Sequence, residues 1–285
     1  MEVTFWGVRG SIPAPGPGTI RYGGNTSCVS VRTGAGALLV LDCGTGARNL
    51  GLALLAGGAT EGFRAGTGEA AILLSHTHWD HIQGFPFFGP LYVAGNAFRI
   101  YGPAESSALL EGVLEGQMAP QYFPVQTLKN MGATIEITAV AAGSPFEVLG
   151  CSVTAAVNPH GRAGAMAFRI DEGGRSVVYA SDAGYGPAGP SPEVLALYRE
   201  VDLLIHDSTY TPEDRARYPQ RGLASVTEAV SAAVRARVRK LALFHYDQDY
   251  TDADVDLMVE RGRRLVGRTA QVEVLAGVEG LTLLV

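Results

Sequence analysis

Three of the six histidines in the chain fall within six consecutive residues, His76-Thr77-His78-Trp79-Asp80-His81. Imidazole and carboxylate donors at this density suit a first-row divalent cation: zinc first, because nitrogen donors dominate, with manganese or iron as alternatives. In a loop leaving a strand, the spacing turns His76 and His78 toward one centre while Asp80 and His81 face a neighbouring one, so two cations are expected. A helix starting near His81 would explain Asp80 as a cap, but not three imidazoles. One segment offers too few donors to close two coordination shells, so the rest must come from distant parts of the chain. His160, Asp182 and His245 are the candidates, because each follows an apolar run of strand length: Ser152 to Val157, Val177 to Ala180 and Leu241 to Phe244.

The elements that must hold these donors are legible as short apolar runs between glycine turns. Val3 to Val8 reads as a strand, and Cys28 to Arg32 with Ala37 to Asp42 around Gly34-Ala35-Gly36 as a hairpin. A helix is expected from about Ala47 to Leu55, and Ala70 to Leu74 is a strand that ends directly in the histidine segment. Residues 85–135 are less regular, with a strand at Phe98 to Tyr101, a helix at Pro103 to Gly116 and an aromatic loop at Pro120 to Pro124; a lid over the site is one reading. In the second half, Ala165 to Ile170 and Ser176 to Ala180 flank the turn Asp171-Glu172-Gly173-Gly174, and Leu203 to Ile205 and Leu241 to Phe244 follow helical segments as in αβ units. Val226 to Val238 reads as a helix whose arginines spread over a solvated face. No linker or charge block divides the chain, so residues 1–285 are expected to form one domain of two similar β-rich halves.

The combination of His76-x-His78-x-Asp80-His81, a later His160, Asp182 and a final His245 resembles the metal motifs of the metallo-β-lactamase superfamily, along nearly the whole chain. The resemblance implies a four-layer αββα sandwich with the site along one edge of its two sheets. It also implies that His76, His78 and His160 hold one metal, Asp80, His81 and His245 the other, and that Asp182 bridges them. An aspartate at the bridge rather than a cysteine argues against the B1-type lactamase pattern. Two further segments resemble the branch containing the tRNA 3′-processing endonucleases and the small cyclic-phosphate phosphodiesterases. In Leu203-Leu204-Ile205-His206-Asp207-Ser208-Thr209, the resemblance implies that His206 lies near the metals and helps with proton transfer; the expectation is that it either stabilises phosphoryl charge or protonates the leaving oxygen, with Asp207 orienting its ring. In Gly7-Val8-Arg9-Gly10-Ser11-Ile12-Pro13 and Gly23-Gly24-Asn25-Thr26-Ser27, it makes Asn25 and Ser27 candidate contacts to the substrate. Asp80 is expected to be both a ligand and the catalytic partner of the attacking water. Trp79 is expected to pack behind the loop rather than stack on substrate; the Phe85-Pro86-Phe87-Phe88 run and Tyr122-Phe123-Pro124 have two readings, buried core as the main one and the wall of a base or sugar pocket as the other.

Composition narrows the substrate. With 22 Lys plus Arg against 28 Asp plus Glu, the net charge of −6 has the wrong sign for gripping long nucleic acid through the overall field. The chain also shows no obvious long Gly/Pro-rich arm of the kind that tRNA endonucleases insert. A small phosphodiester is therefore expected: a cyclic nucleotide, a cyclic sugar phosphate or a short oligonucleotide end, rather than a large structured RNA. A carboxylic ester or thioester hydrolase on the same site is the alternative enzyme, and a metal-dependent metabolite carrier the alternative outside catalysis. No stretch approaches the roughly 18 apolar residues of a membrane span, and nothing at the start reads as an export signal. Three scattered cysteines, Cys28, Cys43 and Cys151, suggest neither a disulfide framework nor a zinc ribbon, so the cytoplasm is the expected compartment. A homo-oligomer is left open.

Overall fold

The computed structural model describes residues 1–124, 127–143, 145–162, 164–267 and 271–285. Strands β1 (Glu2–Gly7), β2 (Cys28–Arg32), β3 (Leu38–Leu41), β4 (Glu69–Leu73), β5 (Ala97–Pro103) and β6 (Thr134–Val140) lie side by side in chain order. A second sheet holds β7 (Phe146–Val148), β8 (Cys151–Asn158), β9 (Ala165–Glu172), β10 (Arg175–Ala180), β11 (Leu203–Asp207), β12 (Lys240–Phe244) and β13 (Glu273–Ala276), again in chain order. The last strand, β14 (Thr282–Leu284), returns to the first sheet and pairs antiparallel with β1. Helices fill the connections: α1 (Gly46–Leu55), α2 (Glu61–Ala65), α3 (Trp79–Ile82), α4 (Ser107–Gly116), α5 (Pro192–Tyr198), α6 (Pro212–Arg217), α7 (Val226–Ala236) and α8 (Asp252–Val266).

Strand alternation divides the interior. On β3 and β4, Leu39, Leu41, Ala71 and Leu73 face the second sheet, where they meet a core that includes Val153, Phe168, Ile170 and Val177. Their neighbours Leu38, Val40, Ala70 and Ile72 face outward onto α1 and α4 through Leu50, Leu54, Leu110 and Leu114. The outer face of the second sheet is covered by α5, α7 and α8, whose Val194, Leu197, Val226, Ala229, Val230, Val255 and Met258 are buried there. Helix, sheet, sheet and helix thus make the expected four-layer sandwich.

Direction of pairing fixes where chemistry can sit. β3 to β6 run parallel, and so do β10 to β13. β8 is antiparallel to β9, which is antiparallel to β10, so β8 points the same way as β10. The carboxyl ends of β8, β10, β11 and β12 therefore share one edge, the usual place for a site in sheets of this kind.

Several elements differ from expectation. The helix expected from Pro103 begins only at Ser107, because Pro103 closes β5 and the Ser106 side chain caps the first turn by accepting from the Leu109 N–H. The helix expected to reach Val238 ends at Ala236, where Arg237 turns left-handed at φ 57°. Residues 85–135 are not a lid as a whole: β5 is an interior strand, and Phe85 and Phe88 are core. Among the described residues, no helix is long and apolar enough to cross a membrane.

Candidate metal centre

The seven expected donors converge on the shared edge. His76, His78, His160 and Asp182 form one group, and Asp80, His81 and His245 another, each with ligand-type atoms within 4.8 Å of one another. Asp182 faces both. Its Oδ2 lies 3.3 Å from His160 Nε2 and 3.7 Å from His76 Nε2, while its Oδ1 lies 3.3 Å from the Nε2 atoms of both His81 and His245. Asp80 Oδ2 sits 3.3 Å from the same two nitrogens. His78, exposed at the mouth, presents Nδ1 at 3.1 Å from His160 Nε2.

The opposite ring nitrogens show that these imidazoles are aimed. Nδ1 of His81 donates to Asp42 at 2.7 Å, Nδ1 of His160 to the Gly222 carbonyl at 2.8 Å, and Nδ1 of His245 to the Thr209 hydroxyl at 2.9 Å. Thr209 in turn donates to Asp207 at 2.7 Å. Fixing one nitrogen as a donor leaves Nε2 as a lone pair, the second-sphere arrangement of histidines that bind metal. Among the described residues, His76 Nε2, His81 Nε2 and Asp182 Oδ1 are buried without a hydrogen-bond partner. Orphaned acceptors pointing at one another are costly unless a cation lies among them. Five imidazoles and two carboxylates are a donor set that fits such ions.

Electrostatics agrees. Burial pushes the Asp182 and Asp80 carboxyls up, but His245 and His81 outweigh it and hold both well below the usual carboxylate range. Burial lowers His245 and His81, yet the surrounding carboxylates win: His81 rises well above its ordinary value and His245 to about 9. His76 falls well below, first through burial and then through the neighbouring His81. Dications would substitute for protons at such a site.

Backbone strain gathers here too. Ser11, Asp42 and His245 are non-glycine residues with φ of 66°, 57° and 62°, a conformation that persists only where the surroundings enforce it. The Ser11 N–H donates to Asp80 Oδ2 at 2.7 Å. Gly10 is required beside it, because a Cβ there would overlap the His245 ring.

Above the donors opens a cavity of about 560 Å³, rimmed by Ser11, Ile12, Trp79, Arg221, Leu223 and Gln248. Arg221 is held by a hydrogen bond to the Tyr210 hydroxyl at 2.9 Å and by the Tyr218 ring, 4.9 Å from its guanidinium carbon. It adjoins Gly222, whose carbonyl orients His160.

Three expected contacts are not brought to this cavity. His206 is fully buried, with Nδ1 donating to the Asp207 carbonyl at 2.7 Å and Nε2 meeting the Tyr185 hydroxyl at 2.8 Å. Burial pushes its pKa down to about 4, so it is a neutral, satisfied histidine that reaches no leaving group. The Asp207 carboxylate does not orient that ring; it accepts from the N–H groups of Ala183, Thr209 and Ala224. Asn25 spends its side chain and its N–H on Glu279, bracing the glycine-rich segment behind the site, and Ser27 is wholly buried, its hydroxyl without a partner among the described residues. Trp79 corrects the other way, being 76% exposed.

Asp42, Ser75 and Arg221 serve the site without having been expected there, and Thr209, part of the segment from Leu203, was expected there with no role of its own. Asp42 carried a usable signal: like the recognised ligands, it is a carboxylate directly after an apolar strand and before a glycine, in Leu41-Asp42-Cys43-Gly44. Arg221 had no comparable signal, because it ends a short 3-10 turn, Pro219–Arg221, between α6 and α7.

Residues 39–246 match the family described as the Beta-lactamase superfamily domain. Ribonuclease Z of Methanosarcina acetivorans is 27% identical over 326 aligned residues, covering 98% of each chain. Because that alignment is longer than the 285 residues here, the relative carries segments that this chain lacks. Human tRNase Z, short form, superposes with a TM-score of 0.68 at 20% identity, over 100% of this chain and 99% of that one. A diphosphatase from the PhnP family superposes with a TM-score of 0.65 at 19% identity, over 100% and 97%.

Proposed function

The chain belongs to the β-lactamase superfamily and is a metal-dependent hydrolase, and from that premise we propose that it is a binuclear phosphodiesterase acting on a small phosphodiester. The observation that carries this reading is Asp182, which offers one oxygen to each of two imidazole groups. His76, His78 and His160 would hold one cation and Asp80, His81 and His245 the other, with Asp182 facing both groups. Zinc suits the nitrogen-rich set best, ahead of manganese and iron. Two dications supply charge for the phosphoryl oxygens and acidify water toward a pKa of ~7.

The chain's own residues do the positioning. Asp80, fixed through Oδ2 by the Ser11 N–H, orients the attacking water; held well below the usual carboxylate range, it is that water's partner rather than a resting place for its proton. Arg221 receives a phosphoryl oxygen in a charge-assisted contact. Trp79, Ile12 and Leu223 limit the water around the reacting group. With ligands drawn from both sheets, residues 1–285 act as one domain. Three buried, unpaired thiols suit a reducing compartment such as the cytoplasm.

A net charge of −6 and the segments missing relative to the Methanosarcina protein favour a small substrate. The identity to Ribonuclease Z favours a second reading, in which the scissile phosphodiester belongs to an RNA. Metal-replete protein assayed on cyclic and linear phosphodiesters, a transfer RNA precursor and a thioester separates the readings. Close to two cations per chain and turnover of the small phosphodiesters are expected. Turnover of RNA alone or of the thioester alone overturns the proposal, and tight binding without turnover under several metals makes the protein a carrier.

A further inference from the structure

Beside the metal cavity lies a second hollow of about 510 Å³, walled by Trp79, Phe87, Val113, Gln117, Tyr122 and Phe123. The two cavities share Trp79 as a common wall, which sets them side by side. Their chemistry contrasts. The metal cavity is crowded with ionisable groups, whereas among the described residues the lining of the hollow carries no charged side chain. Phe87 and Tyr122 leave 58% and 74% of their surface to solvent, although Phe85 and Phe88 of the same run are fully buried in the core. Phe87 stands edge-on to Phe123 with ring centroids 5.2 Å apart, which fixes its flat face. Exposed aromatics gathered around a concavity mark a binding surface rather than a packing accident. The Gln117 amide nitrogen is buried at this wall and, among the described residues, has no hydrogen-bond partner.

We propose that this hollow is a subsite for the planar heterocyclic base of a nucleotide phosphodiester, whose phosphate reaches the metal centre. The inference rests on the phosphodiesterase reading above and deepens it. Flat aromatic walls favour stacking, which tolerates any base because every base has a π-face. A turn of the Gln117 side chain into the hollow would bring its buried, orphaned N–H group to a base as a donor for a ring nitrogen or exocyclic oxygen, which stacking cannot supply; an alkyl chain would leave it unpaired.

The test compares adenosine 3′,5′-cyclic phosphate with the same cyclic phosphate on a base-free ribose, two substrates with one reacting group. The readout is the ratio of their kcat/KM values in metal-replete wild type and in Phe87→Ala, Tyr122→Ala and Gln117→Ala. Trp79 is left intact, because it lies between ligands. A fall in the ratio of about 10-fold or more is expected in each variant, with Phe87→Trp keeping the wild-type ratio because it keeps a flat face. Adenosine monophosphate should also quench tryptophan emission in wild type and less in Tyr122→Ala. Ratios unmoved in all three alanine variants overturn the subsite while leaving the phosphodiesterase reading standing. Quenching that responds to Tyr122→Ala in a protein that turns over no phosphodiester keeps the subsite and removes that reading. An alkyl phosphodiester preferred over the nucleotide, with its preference lost in the same variants, assigns the hollow to a lipid chain and overturns the base.

Discussion

Replacing Asp42 with Asn alters one functional group outside the ligand set, yet it should weaken the cation at Asp80, His81 and His245 by about 10- to 100-fold. Asp42 Oδ2 accepts from His81 Nδ1, the Tyr179 hydroxyl and the Ser75 hydroxyl, each at 2.7 Å, while Oδ1 accepts the Ser75 N–H at 2.6 Å. An amide has only one accepting atom. With its oxygen in the Oδ2 position, its NH₂ confronts the Ser75 N–H; reversed, it confronts three donors. The better orientation keeps the bond to His81 but loses the negative charge that favours the Nδ1–H tautomer, and it strands a buried donor. That donor costs about 1–3 kcal/mol of stability, and the affinity loss corresponds to about 1.4–2.8 kcal/mol. Competitive chelator titration resolves the two cations, and denaturant unfolding of metal-free protein reports the stability cost. If both cations bind within twofold of wild type while stability falls, Asp42 serves the fold alone. If only the cation at His76, His78 and His160 weakens, the assignment of ligands to the two sites is wrong.

Three more perturbations probe the same architecture. Thr209→Val keeps the shape of the side chain but removes the hydroxyl between His245 and Asp207; calorimetric titration should show about tenfold weaker metal binding, restored by Thr209→Ser. Arg221→Ala should raise KM for small phosphodiesters about tenfold, with metal content unchanged; a loss confined to kcat would remove it from substrate binding. The folded pKa of His206, about 4, lies below its ordinary value, so the unfolded chain takes up a proton first as pH falls and stability drains between about 6.5 and 4. The stability advantage of wild type over His206→Gln should therefore shrink across that window in metal-free urea titrations, and a constant gap would refute the buried neutral state.

The donors were legible because metal chemistry restricts residue types and the strands announce themselves. β2 spans Cys28–Arg32 as the glycine turns dictate, and His76, Asp182 and His245 each lie just past an apolar run. His206 misled because a strand sequence does not say which face meets the cavity; on β11 its ring turns toward Tyr185 and Tyr198, and the next residue takes the edge. Trp79 misled for a related reason, since the loop that aims its neighbours inward must aim it outward. β14 is legible only through its partner β1, at the opposite end of the chain. β6 was missed within the irregular 85–135 stretch and beyond it, because its half-buried pattern at the sheet edge carries a weak apolar signal.

Because β4 of the first sheet delivers His76, His78, Asp80 and His81, while His160, Asp182 and His245 come from the second, the centre lies across a seam. Cation binding is then cohesion: whatever free energy the ions contribute to the closed site is withheld from any state in which the sheets have parted. The fastening is reversible and its strength follows the free metal concentration. Cleaving the connection between β6 and β7 would give two fragments still joined by the inter-sheet core and by β14 on β1, and the strength of their reassembly would rise with metal availability.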